Sequence, residues 1–111
     1  MAVTVVEETG NTTTTDGSEQ SLFTEEDAGV FFVRFDLNDM AAADYLTVRE
    51  YISARAASTK RLLATYNYRW DATRIQELPH RSIAVNCTYE VTIQRSGGAD
   101  FDVVWSQIEV G

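Results

Sequence analysis

Four carboxylates crowd the first half of one early stretch of the chain, "GSEQSLFTEEDAGVFFVRFDL" from Gly17 to Leu37: Glu19, Glu25, Glu26 and Asp27. Two carboxyl groups facing one cleft can serve as the acid and base of glycoside hydrolysis. Adjacent acids in a loop, followed by three phenylalanines in five residues, do not make such a cleft. They read as a solvated turn leading into a buried strand, with Thr24 and Asp27 capping one helical turn before Gly29. His80 could act as a general base, but no Ser, Cys or Asp near it completes a nucleophile signature. Cys87 falls on the apolar phase of its segment, and with only His80 for company it offers no metal-ligand set of the usual spacing. Neither a Gly-rich phosphate loop nor a GxSxG elbow occurs, and Gly97 with Gly98 fits a hairpin between the last two strands. No catalytic residue, cofactor or metal is expected, and the chain reads as a protein that is not an enzyme. Tyr66, Tyr68 and Trp70 leave two readings open: a sugar-stacking platform, or a core stripe at strand spacing.

The elements that position these residues come from a chain of 111 residues, about one domain. It is 44% hydrophobic and 23% charged, with two Trp, five Tyr and five Phe to fill a core. Seventeen acids against nine bases give a net charge of −8, which repels phosphate backbones, so nucleic acid is not an expected partner. No apolar run approaches the ~20 residues that span a bilayer, and "MAVTVVEETG" lacks a basic n-region and a long apolar h-region, so no membrane partner is expected either. The single cysteine excludes an internal disulfide, which leaves packing to hold the fold.

The clearest period is in "SIAVNCTYEVTIQR", where Ile83, Val85, Cys87, Tyr89, Val91 and Ile93 alternate with polar or small residues. This predicts one long strand with one dry face. After Gly29, Val30 and Phe32 oppose Phe31, Val33, Phe35 and Leu37, so the first half of that strand is expected to be covered on both sides. At the C-terminus Phe101, Val103 and Trp105 share a face, with Val104, Ile108 and Val110 on the other. The change of phase near Gln107 points to a bulge or an edge exposed to a partner. The middle, "MAAADYLTVREYISARAASTKRLLATY", has a helical competitor, but Leu46, Val48 and Ile52 alternate with Tyr45, Thr47, Arg49 and Tyr51, which predicts two strands joined by "ARAAST". Then Leu62, Ala64, Tyr66, Tyr68 and Trp70 share one side, and Pro79 sits in the loop "ELPHR". Residues 1–16 read as an N-terminal arm or edge strand and 17–111 as the domain. The fold class is all-β: an antiparallel, jelly-roll-like β-sandwich of about seven or eight strands.

Several local features together resemble a family of small virion proteins of tailed bacteriophages. "GSEQSL" followed by "AGVFFVRFDLNDMAAAD" is similar to the family's opening, a Gly-x-Glu-Gln-x-Leu strand and an Ala-Gly turn before an aromatic strand ending in Asp-Leu. "VTIQRSGGADFDVVWSQIEV" resembles its closing hairpin, with Gln94, Gly97, Phe101 and Trp105 at matching places; Ala43 stands where glycine is expected before Asp44. The resemblance covers about Gly17 to Val110. It implies a non-enzymatic β-sandwich of the virion, most plausibly a decoration or cement protein on the outer capsid surface, bound to the major capsid protein. The alternatives are a tail or head-tail junction component and a carbohydrate-binding module. A homo-oligomer, a trimer, is the expected state, with Val3, Val5, Val6, Val30, Phe32, Val104, Ile108 and Val110 as candidate partner interface. The stretch Ala2 to Val6 is expected to reach a neighbour as an added strand.

Overall fold

Residues that alternate between an apolar and a polar side can bury only one face, and the chain solves this by laying two sheets against each other. The structure is a computed structural model that describes the backbone of residues 5–111 and the side chains from Thr9 onward. Nine strands follow in order: β1 (Val5–Thr14), β2 (Gln20–Glu25), β3 (Gly29–Asp36), β4 (Tyr45–Ile52), β5 (Arg61–Arg69), β6 (Ile75–Glu77), β7 (Arg81–Ile83), β8 (Tyr89–Gly97) and β9 (Asp102–Val110). All pairings are antiparallel. The first sheet has the order β1-β9-β3-β6, with β7 also on β3, and the second β2-β8-β4-β5.

β6 and β7 occupy one lane. They pair with opposite ends of β3, Arg34–Asp36 and Gly29–Phe31, while the Leu78 N–H between them donates to the Val33 carbonyl at 2.9 Å. Pro79 has no N–H to continue the ladder, so the strand is interrupted there. Counted as one, they leave eight lanes in the order 1-8-3-6 facing 2-7-4-5, the strand order of a jelly roll. This is the all-β sandwich expected from the sequence. The Met40–Tyr66 region forms β4 and β5 with residues 53–60 as their link, and no helix occurs among the described residues.

The core lies between the layers. Val33 and Phe35 of β3 and Val103 of β9 meet Leu46 and Val48 of β4 and Tyr89, Val91 and Ile93 of β8, each completely buried. Burial of a side chain of this size contributes about 1.5–3 kcal/mol. The Phe23 ring sits 5.8 Å from both Tyr89 and Trp105, tying β2 to β8 and β9.

Four expectations are corrected. The run Ile83–Ile93 is not one strand: it leaves the first sheet after Ile83, turns at Asn86 (φ 62) and enters the second at Tyr89, which leaves Val85 67% exposed. The period survived because the chain resumes the inward phase at Cys87. β8 and β9 are not a hairpin; they lie in different sheets, and Gly97 and Gly98 begin the corner between them. Gly98 has φ 81, and a Cβ there would lie 2.3 Å from Asp44 Oδ1, so this corner closes only around glycine. Near Gln107 there is neither bulge nor edge. The β3–β9 register runs unbroken from Val104 to Val110, β9 has β1 and β3 on its two sides, and Gln107 points inward to donate to Glu25 Oε1 at 2.8 Å. Finally, no helical turn precedes Gly29. Glu25, rather than Thr24 or Asp27, accepts from the backbone N–H groups of Glu26 and Asp27.

The turn before Asp44 forms without the expected glycine. Ala43 adopts φ 76, with the Asp44 N–H donating to the Ala41 carbonyl and Asp44 Oδ2 accepting from the Ala41 N–H. A left-handed alanine costs about 1–2 kcal/mol, partly offset for glycine by its greater freedom in the unfolded chain. Ala43→Gly is therefore expected to stabilise by about 0.5 kcal/mol, read as a higher urea midpoint at unchanged slope. A lower midpoint would show that the exposed Ala43 methyl packs favourably.

Candidate interaction surface

The early carboxylates do not converge. Glu19 precedes β2 and Glu25 ends it, so the extended strand holds them about 20 Å apart. Glu19 accepts from Tyr51 Oη at 2.6 Å and Thr92 Oγ1 at 2.5 Å, with Arg49 Nη1 at 3.8 Å. Burial works to raise its pKa, but the two hydroxyls and the guanidinium outweigh it and hold the carboxyl below its ordinary value. Glu19 therefore anchors β2 to β4 and β8. Glu26 and Asp27 are exposed. His80 is exposed too, its ring stacked on Phe32 at 4.5 Å, and Cys87 is buried. Among the described residues no group of three His, Cys, Asp or Glu side chains comes together.

The chain's most perturbed ionisable cluster is one the sequence reading missed. Glu50 on β4 is fully buried, and its carboxylate faces Arg81 on β7, across the gap between the sheets. Arg81 donates from Nη2 to Oε1 at 2.8 Å and from Nε to Oε2 at 3.1 Å. Tyr66 Oη donates to Oε1 at 2.8 Å, and Tyr89 Oη makes a short bond to Oε2. Burial pushes the Glu50 carboxyl upward, but Arg81 and the two phenols more than compensate, so it stays below its ordinary value. The same carboxylate and burial raise both tyrosines, and burial pushes neighbouring Tyr68 up to about 12. Both oxygens of the buried carboxylate are engaged by partners from both layers, so the group ties the sheets together. The signal was available: Glu50 falls on the phase of Leu46, Val48 and Ile52, where only a partnered acid can stand.

Tyr66, Tyr68 and Trp70 face inward, half-buried against the core, and Trp70 is capped by Arg69 at 4.8 Å and Tyr45 at 5.4 Å. They form no solvent-facing platform.

The candidate interface residues divide. Val3 lies outside the described residues. Val5 and Val6 belong to β1, which pairs along its own β9 (Val5 opposite Val110), so this segment is an edge strand of its own sandwich and not a detached arm. Val30 and Val110 are cross-strand partners and half-buried. Phe32 and Ile108, also partners, are buried on the outer face of the first sheet, Phe32 beneath His80. The two-sided cover of this strand is thus supplied by the chain's own loop before β7. Among the candidates whose side chains are described, only Val104 is open, at 48% exposure. Sequence reasoning missed Ile75, Leu62 and Leu63, which are equally exposed. Leu62 continues an inward phase and reads as core, but the β4–β5 register shifts between Ala64 and Leu62, which sets Leu62 opposite Tyr51 on the outer face. Comparisons with protein-family models, with curated proteins and with solved structures give no match.

Proposed function

We propose that this chain is a non-enzymatic virion protein of a tailed bacteriophage: a decoration (cement) protein that binds the outside of the capsid as a homo-oligomer, a trimer, and bridges neighbouring capsid subunits. The observation that carries the reading is where the chemistry lies. The perturbed carboxylate, Glu50, is buried and fully hydrogen-bonded between the sheets, whereas unpaired charges and exposed apolar side chains lie on the outer faces. A protein built this way acts through surfaces. The Gly17–Val110 resemblance supplies the virion, and the jelly roll agrees by analogy only, since the fold serves many functions. The net charge of −8 suits an outer position, because a surface against packaged DNA should be basic.

Each bridge between subunits adds binding free energy that separation of the shell must overcome. Purified chain added to particles lacking it is expected to co-sediment at a fixed ratio to the capsid protein and to raise the temperature at which the shells open. Particles that leave the chain in the supernatant would refute the reading.

A further inference from the structure

Exposed apolar side chains and charges without an ion partner coincide at two places, at opposite ends of the sandwich. One is the end where β3 begins, where the β4–β5 loop meets the β7–β8 loop through the Ala57 N–H and the Asn86 carbonyl at 3.0 Å. Here β5, the outermost strand of its sheet, leaves Leu62 56% and Leu63 43% exposed beside an open groove of about 390 Å³. Arg61 in that groove and Arg55 in the loop have no ion partner among the described residues, while Lys60 is neutralised by Glu90. The acids of this end without an ion partner stand away from β5: Glu25, Glu26 and Asp27 end and follow β2 at the far edge of its sheet, and Glu109 is on β9 of the other sheet.

The other place is where β3 ends and β9 begins. The row Thr12, Val104, Asp36 and Ile75 crosses four strands of the first sheet, each residue the cross-strand partner of the next. Val104 and Ile75 are about half exposed. Asp36, Asp39 and Asp102 rim an open pocket of about 370 Å³ beside Val104. Asp36 and Asp39 accept only from backbone N–H groups and Asp102 from Thr14, and none of the three has a cation partner among the described residues.

We propose that these two ends form one contact, in which the Arg61, Leu62 and Leu63 end of one copy docks head to tail on the Asp36, Val104 and Ile75 face of the next. Each end offers two apolar side chains to cover, and the unpaired cations of one meet the unpaired carboxylates of the other. Two different surfaces make a heterologous contact, which closes into a ring when the rotation allows, a trimer among them, and otherwise grows as a chain. The overall charge of −8 opposes association, so attraction must come from this local match and should weaken as salt screens it. The contact rests on the homo-oligomer part of the proposed function and is independent of the capsid.

The test therefore uses the full chain alone, by sedimentation velocity. One variant, Arg61→Glu with Leu62→Ser, breaks the basic end; a second, Asp36→Lys with Val104→Ser, breaks the acidic end. The parent is expected to associate, and each variant to do so about tenfold or more weakly. An equimolar mixture of the two should form one-to-one dimers, because each contributes its intact surface. If a charge reversal unfolds the chain by circular dichroism, Leu62→Ser and Val104→Ser singly, at exposed positions, carry the same test. A parent that stays monomeric at its highest soluble concentration, a folded variant that associates like the parent, or a mixture that yields no dimer would overturn the proposal. Particle binding by a monomeric parent would separate this failure from that of the capsid reading.

Discussion

Arg81→Met is expected to destabilise the fold by about 3–5 kcal/mol at pH 7. It keeps most of the side-chain volume but leaves the Glu50 carboxylate buried and without its cation. The loss should depend on pH in a definite direction. In the parent the Glu50 carboxyl is held below its ordinary 4.5, so its contribution is complete above that pH and is lost as pH falls through the lower folded value. In the variant burial acts without Arg81, the folded value rises above the ordinary one, and protonation relieves the penalty as pH falls. The gap in urea midpoint between parent and variant should therefore narrow on going from pH 7 to pH 4.5. Glu50→Gln combined with Arg81→Met should recover part of the stability, since no buried charge remains. A gap that stays constant with pH would mean that Arg81 acts by packing and not by pairing.

Val91→Asp should leave the chain unfolded, with a cost above about 4 kcal/mol, because Val91 is completely buried on β8 directly opposite Glu50, whose carboxylate already holds Arg81, so a new carboxylate there would be buried unpaired beside another. Val85→Asp, six residues earlier on the same apparent period, should change stability by no more than about 0.5 kcal/mol, since the β7–β8 corner turns Val85 to solvent. Thermal unfolding by circular dichroism measures both. A folded Val91→Asp would mean that Val91 is not in the core, and an unfolded Val85→Asp that residues 83–93 run as one continuous strand.

This contrast shows how far the sequence could be read. Period 2 is a local signal, and it found the inward residues of β3, β8 and β9 and the β4–β5 pair because each obeys it within one sheet. It carries no information about when a chain changes sheets. Ile83 and Cys87 are both buried although they serve opposite layers, so the crossing at Asn86 was invisible, and the glycines at 97 and 98 looked like a hairpin when they turn a corner. The candidate surface was less legible. Phe32 and Ile108 are apolar on the outer face yet buried, and nothing local says that His80 stacks over Phe32. Glu50 was readable in principle, as an acid on an apolar phase, but its partner lies 31 residues away on the other sheet. Leu62 reads as core because it keeps the period of Ala64 and Tyr66, and the extra residue at Leu63, which shifts the register against β4, turns it to solvent.

The claim that this jelly roll acts through its surfaces, on the outside of a capsid, is met most directly by a cryo-EM map of the particle encoded with it. The expected result is density for the two-sheet sandwich on the outer face of the shell, repeated with the capsid symmetry and touching more than one capsid subunit, with neighbouring copies joined end to end. Density for the chain confined to the tail or the head-tail junction, or a particle with no density for it, would contradict the account.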